Sequence, residues 1–173
     1  MISRIDRVEI PRFLSHLEVY GGFPVPFTQM WIDGKPDFRV MDSERVQQCA
    51  EEKLCAICGH RLGEFAFFIG GPLSKANHLF ADPAMHERCA DFASRTCPFV
   101  SGDRHEYSTR AVKNAGRAVI KIDEMVSTQR PSTMFILKTR TKHVRAVTLQ
   151  GQFLIQTGRW VGQKTVSPTS EGA

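Results

Sequence analysis

Residues 55 to 60 read Cys-Ala-Ile-Cys-Gly-His, and residues 85 to 89 read Met-His-Glu-Arg-Cys; the reading of these two stretches decides the fold. Two residues between Cys55 and Cys58 let one tight turn aim both sulfurs at a single point, with backbone N–H groups of the turn directed at the thiolates. Gly59 can take the left-handed conformation after the second cysteine. His86 and Cys89 stand three apart, the spacing that puts two side chains on one face of a helix. A structural zinc ion takes four tetrahedral ligands, usually thiolate or imidazole, with no position left for water. The pattern predicts one structural Zn2+ held by Cys55, Cys58, His86 and Cys89, with the 27 intervening residues forming a hairpin that brings a helix back over the turn.

Five cysteines are an odd number, and a C-x-x-C pair among them fits metal ligation in a reducing compartment better than a disulfide framework. The competing readings are unliganded core thiols with an exposed His86, or a thioredoxin-like redox pair; the pair does not open a helix of a βαβ unit, which weighs against the second. Cys97 lies eight residues beyond Cys89, two helical turns too far along the axis to join the ligands, and is expected to be a buried thiol. His60 is either a hydrogen-bonding neighbour of a ligand sulfur or an exposed turn residue.

Working outward, residues 1 to 41 read as an extended arm with short strands, in which FPVPFTQMWI favours an edge strand and Asp33-Gly34-Lys35-Pro36 a turn. Asp42 to Leu54 reads as an amphipathic helix with Val46, Cys49, Ala50 and Leu54 inward. EFAFFIGG is a β-rich run, a second strand falls near Asn77 to Phe80, and Asp82-Pro83 signals a helix start. These make a zinc-binding domain over 42 to 102. Residues 103 to 131 read as a basic helical connector centred on Arg110 to Val126. Residues 132 to 166 read as a small antiparallel β meander of four strands, and 167 to 173 as a disordered tail. The fold class is α+β.

The 173 residues suit one domain with an appended lobe, and 42% apolar with 24% charged residues is ordinary globular composition. No stretch approaches the ~20 consecutive apolar residues of a membrane span, and the first residues lack the apolar core of a secretory signal, so no membrane partner and a cytoplasmic location are expected. The net charge is +5. Residues 101 to 150 hold ten basic residues against four acidic ones, a local surplus of six, so the rest of the chain is near neutral.

A C-x-x-C turn, a hairpin and a helix carrying the second ligand pair resemble the treble-clef zinc finger. The stretch from Gly22 to Gly102, carried by GFPVPFTQMWIDGKPDFRVMD, CAICGHRLGEFAFFIGGP and MHERCADFASRTCPF, is similar to a family of uncharacterised zinc-finger-like proteins of bacteriophages and bacterial genomes, prophages included. That resemblance implies a treble-clef-like zinc core, zinc ligation by Cys55, Cys58, His86 and Cys89, and a phage or prophage setting, with host cytoplasm as the location. It implies no activity.

Three functions follow as expectations. The first is a binding or regulatory module that contacts nucleic acid or protein, with Lys138, Arg140, Lys142 and Arg145 as candidate nucleic-acid contacts. The second is a phage-encoded inhibitor of a host protein, with Phe23 to Trp31 adding to a partner's sheet edge or mediating self-association. The third is a metal-dependent nuclease of the His-Asn-His type, suggested by Asn77-His78, for which the chain offers too few free ligands beyond the zinc set. No catalytic residue is assigned. Asp37 and Arg39 are expected to form a salt bridge that pins the arm to the finger.

Overall fold

A computed structural model describes residues 8 to 97 and 131 to 166 of the chain. The expected basic helix over Arg110 to Val126, Pro98 and Phe99 of the Cys-Pro-Phe motif, and the expected disordered tail lie outside these residues.

Short hairpins build the N-terminal region. Strands β1 (Val19–Tyr20) and β2 (Phe23–Pro24) pair antiparallel, as do β3 (Gln29–Ile32) and β4 (Lys35–Met41). Asp33 and Gly34 join the second pair with φ of 50° and 75°, the two positive values that a type I′ turn demands and that match the right-handed twist of the strands. Asp42 then caps α1 (Ser43–Glu52): its carboxylate accepts from the N–H groups of Glu44 and Arg45, satisfying donors that the first helical turn leaves free. Val46, Cys49 and Ala50 form the buried face, as the periodicity predicts; Leu54, also expected there, lies beyond the left-handed cap at Lys53 and is half-buried.

After the 55 to 60 turn come β5 (Phe65–Gly70), α2 (Pro72–Asn77), β6 (Leu79–Phe80) and α3 (Glu87–Thr96), then β7 (Met134–Arg140), β8 (Arg145–Leu149), β9 (Gln152–Gln156) and β10 (Gly162–Val166). The strands fall where the sequence puts them, but their pairing is different. Instead of a hairpin between Gly59 and Met85, β5 pairs with β7 and β6 pairs with β9. Nor do the last four strands form a meander: β7 is the centre of the sheet β10-β7-β5, and the β8–β9 hairpin joins β6 in a second sheet. The reason lies in burial. Strands β5 and β7 are buried on both faces, at Ala66, Phe67 and Phe68 and at Ile136, Leu137 and Thr139, so other parts of the chain must cover the sheet above and below, which neither a lone hairpin nor a separate meander provides.

One core cluster results. It takes Leu14 from the N-terminal segment, Val46 from α1, Phe68 from β5, Phe92 from α3, Leu137 from β7 and Ile155 from β9. The stretch expected to be an exposed arm is packed down, with Val25, Thr28, Gln29 and Met30 buried; Val19, Tyr20 and Phe38 are the apolar side chains exposed nearby. No helix among the described residues is long and apolar enough to cross a membrane.

Candidate metal centre

The knuckle is shaped by its own backbone. Gly59 N–H donates to the Cys55 carbonyl at 2.9 Å and Cys55 N–H to the His60 carbonyl at 2.8 Å, and Gly59 closes the turn at φ +74°. Cys55 and Cys58 leave it pointing inward and are buried.

The second pair arrives by a route that differs from the helical reading. α3 begins at Glu87, with His86 as its extended N-cap (φ −69°, ψ 156°), so Asp82 and Pro83 do not start it. The backbone before His86 is already committed: Ala84 carbonyl accepts from Ala56 N–H at 2.9 Å, and Met85 exchanges both N–H···O bonds with Phe67 at 2.9 and 2.8 Å. A segment held as a strand against the knuckle and β5 cannot be helical at the same time. His86 therefore sits just outside the helix and Cys89 in its first turn, and the two still converge on the cysteines.

The ligand atoms of Cys55, Cys58, His86 and Cys89 all lie within 4.8 Å of one another, the only such group of three or more His, Cys, Asp or Glu among the described residues. Cys58 Sγ is 3.4 Å from His86 Nδ1. The other ring nitrogen, Nε2, is 3.1 Å from the Arg61 carbonyl, which can only accept a proton; the proton therefore stays on Nε2 and Nδ1 presents its lone pair to the sulfurs.

Charge also favours an ion here. The Cys55 thiol is held down to about 3, first by hydrogen bonds from Cys58 and Cys89 and further by the backbone N–H groups of Cys58 and His86. Hydrogen bonding to the same sulfurs pushes the Cys89 thiol far up. Buried sulfurs in contact cannot all be thiolates in the absence of a cation, and a divalent ion at their centre removes that conflict. The ligand atoms of a tetrahedral zinc stand roughly 3.5–3.8 Å apart, which the cluster accommodates. These four residues could hold a metal ion.

The remaining cysteines stay out of the cluster. Cys49 is buried on α1, and desolvation first, then the nearby Cys55, pushes its thiol up to about 12. Cys97 is partly buried and packs against the core. His60 is exposed and stacks on His16, with ring centroids 4.4 Å apart. His16, to which the sequence reading assigned nothing, places Nε2 2.8 Å from the Cys58 carbonyl. A lone histidine 42 positions from its partner gives no sequence signal.

The other candidates are largely engaged within the chain. Lys138 Nζ stands 4.1 Å over the Phe65 ring, Arg140 pairs with Glu64, and Arg145 Nε donates to Gln156 at 3.1 Å; Lys142 is exposed. Asp37 and Arg39 do form their salt bridge, but both belong to β4, so it braces that strand and does not pin the arm to the finger. What attaches the arm is a set of hydrogen bonds to the knuckle carbonyls from the Phe27 and Thr28 N–H groups, Thr28 Oγ1 and His16 Nε2. His78 stacks on Trp160 at 4.9 Å and faces Thr157 Oγ1 at 3.1 Å, while Asn77 Oδ1 accepts from Leu79 N–H, so both are occupied in structure. Comparison of the chain with protein-family models, curated proteins and solved structures gives no match.

Proposed function

We propose that Cys55, Cys58, His86 and Cys89 bind one zinc ion in a structural role, and that the protein acts as a binding or regulatory module in the cytoplasm. One observation carries this reading: four donors of the kind zinc prefers converge from two distant stretches, three of them buried, with the imidazole tautomer fixed for ligation. Three thiolates and one imidazole fill a tetrahedron and leave no position for a substrate or an activated water. The resemblance to phage and prophage zinc-finger-like proteins, treble-clef core included, adds the setting: an accessory factor working in a host cell.

Protein is the better-supported partner. Val19, Tyr20 and Phe38 are 42–50% exposed on neighbouring hairpins, with Phe38 edge-on to Phe23 at 6.5 Å, and exposed aromatic groups serve as anchors at protein interfaces. Inhibition of a host protein is one form such binding would take. A nucleic-acid reading keeps one observation of its own: residues 131 to 166 carry Lys138, Arg140, Lys142, Arg145, Arg159 and Lys164 and no carboxylate side chain.

Pull-down from a host lysate with and without nuclease treatment separates the two, using wild type beside Tyr20→Ala/Phe38→Ala and Lys138→Ala/Arg140→Ala/Lys142→Ala. The protein reading predicts capture that survives nuclease and is lost with the aromatic pair. Capture lost to nuclease and to the lysine and arginine changes would replace it with nucleic acid.

A further inference from the structure

Three consecutive carbonyls of the knuckle accept hydrogen bonds from the N-terminal segment. Thr28 reaches Ala56 through N–H and Oγ1, both at 3.2 Å; Phe27 N–H reaches Ile57 at 2.9 Å; His16 Nε2 reaches Cys58 at 2.8 Å. These contacts come from residues that flank two hairpins, and they fall on the loop that carries two metal ligands.

The geometry of the peptide bond makes this consequential. In a trans peptide the C=O and N–H point in opposite directions, and the chain has no cis bond among its described residues. The Ile57 carbonyl that accepts from Phe27 shares its plane with the Cys58 N–H, which is directed at the Cys55 sulfur. Likewise the Cys58 carbonyl that accepts from His16 shares its plane with the Gly59 N–H, which closes the knuckle on the Cys55 carbonyl at 2.9 Å. Each outer bond sets the direction of an inner one. Chains of this kind polarise one another, so gripping the carbonyl strengthens the N–H on the far side.

We propose that residues 13 to 28 form the outer shell of the metal centre, with His16 as its positioning residue, so that ion binding and docking of this segment are one linked equilibrium. The inference rests on the metal reading above. It goes beyond it by making the N-terminal hairpins, with Val19, Tyr20 and Phe38 on them, dependent on the ion: a segment that orients the ligands is itself held by them. In a metal-poor setting the apolar surface is released from its frame, and zinc supply then governs whether the surface is presented.

The test is competition of the full-length protein, loaded with Co2+ and then with Zn2+, against a chelator of known affinity, in wild type, His16→Phe and His16→Gln. His16 is exposed, so both substitutions leave the core intact. Phenylalanine keeps a ring to stack on His60 and loses the donor; glutamine keeps a donor and loses the ring. The proposal expects His16→Phe to bind the ion about tenfold or more weakly, with the thiolate-to-cobalt absorption unchanged because the ligands are the same. It expects His16→Gln to stay near wild type. Hydrogen exchange adds a second reading: the Phe27 and Thr28 amides should lose protection in His16→Phe while Leu137 on β7 keeps it. Equal affinity in wild type and His16→Phe, with unchanged protection at Phe27, overturns the proposal and leaves the metal reading standing. Failure of wild type to bind one ion overturns the metal reading instead.

Discussion

His86 turns Nε2 onto the carbonyl oxygen of Arg61, 3.1 Å away, and Nδ1 toward Cys58 Sγ at 3.4 Å. An oxygen that can only accept thus decides which nitrogen is free to bind an ion. His86→Ala should open one coordination position to water and weaken ion binding by more than the roughly ten- to hundredfold typical of an outer-shell change. Chelator competition measures it. Unchanged affinity would mean the imidazole is not a ligand.

Gly59 stands where no other residue fits. Its φ is +74°, and a Cβ there would lie 2.8 Å from Phe27 Cδ2. Gly59→Ala should cost at least about 1–2 kcal/mol from backbone strain alone, with further loss as the Phe27 ring is pushed off the knuckle. The melting temperature and zinc affinity should fall together. A variant as stable as wild type would contradict the packing of Phe27 on the turn.

Half-buried Asp82 offers a pH test. Burial pushes its carboxyl from an ordinary 3.8 up to about 6. Between those values the folded chain binds more protons than the unfolded one, so this group makes stability fall as pH rises through the window and leaves a cost above it. Asp82→Asn lacks that cost and should be more stable than wild type by roughly 2–3 kcal/mol at pH 7. Taking the difference between the two proteins cancels the effect of acid on the thiolates, and the gap should close as pH falls toward 4. A gap that widens in acid would show that the carboxylate is stabilised by a partner.

Leu137 on β7 and Phe68 on β5 are both fully buried in the same cluster. Leu137→Ala should lower stability by about 2–5 kcal/mol, and the zinc knuckle should melt in the same transition as the C-terminal strands. Two transitions, with only the later strands shifted, would mean that the two regions fold apart.

The sequence made the local features legible and the distant ones obscure. Each ligand pair at its fixed spacing, the face of α1 over Val46 to Ala50 and the β runs are set by residues within a few positions of one another, and they appear where expected. α2 escaped notice because six residues, Pro72–Asn77, are too short to show a period. The pairing of Phe67 with Lys138 joins residues 71 positions apart, and alternation along one strand carries no word about its neighbour. Asp82-Pro83 carries local helix-start chemistry, but the bonds of Ala84 and Met85 to the knuckle and β5 override it, and α3 starts at Glu87. His16 was invisible for the same reason: its role exists only once the chain has folded back on the knuckle.

X-ray absorption at the zinc edge of the purified full-length protein tests the central claim most directly. Four closed ligands predict one zinc per chain, with a first shell of three sulfurs at about 2.3 Å and one nitrogen at about 2.0–2.1 Å. Absence of bound zinc, or a first shell containing a water oxygen, would contradict a structural ion held by Cys55, Cys58, His86 and Cys89.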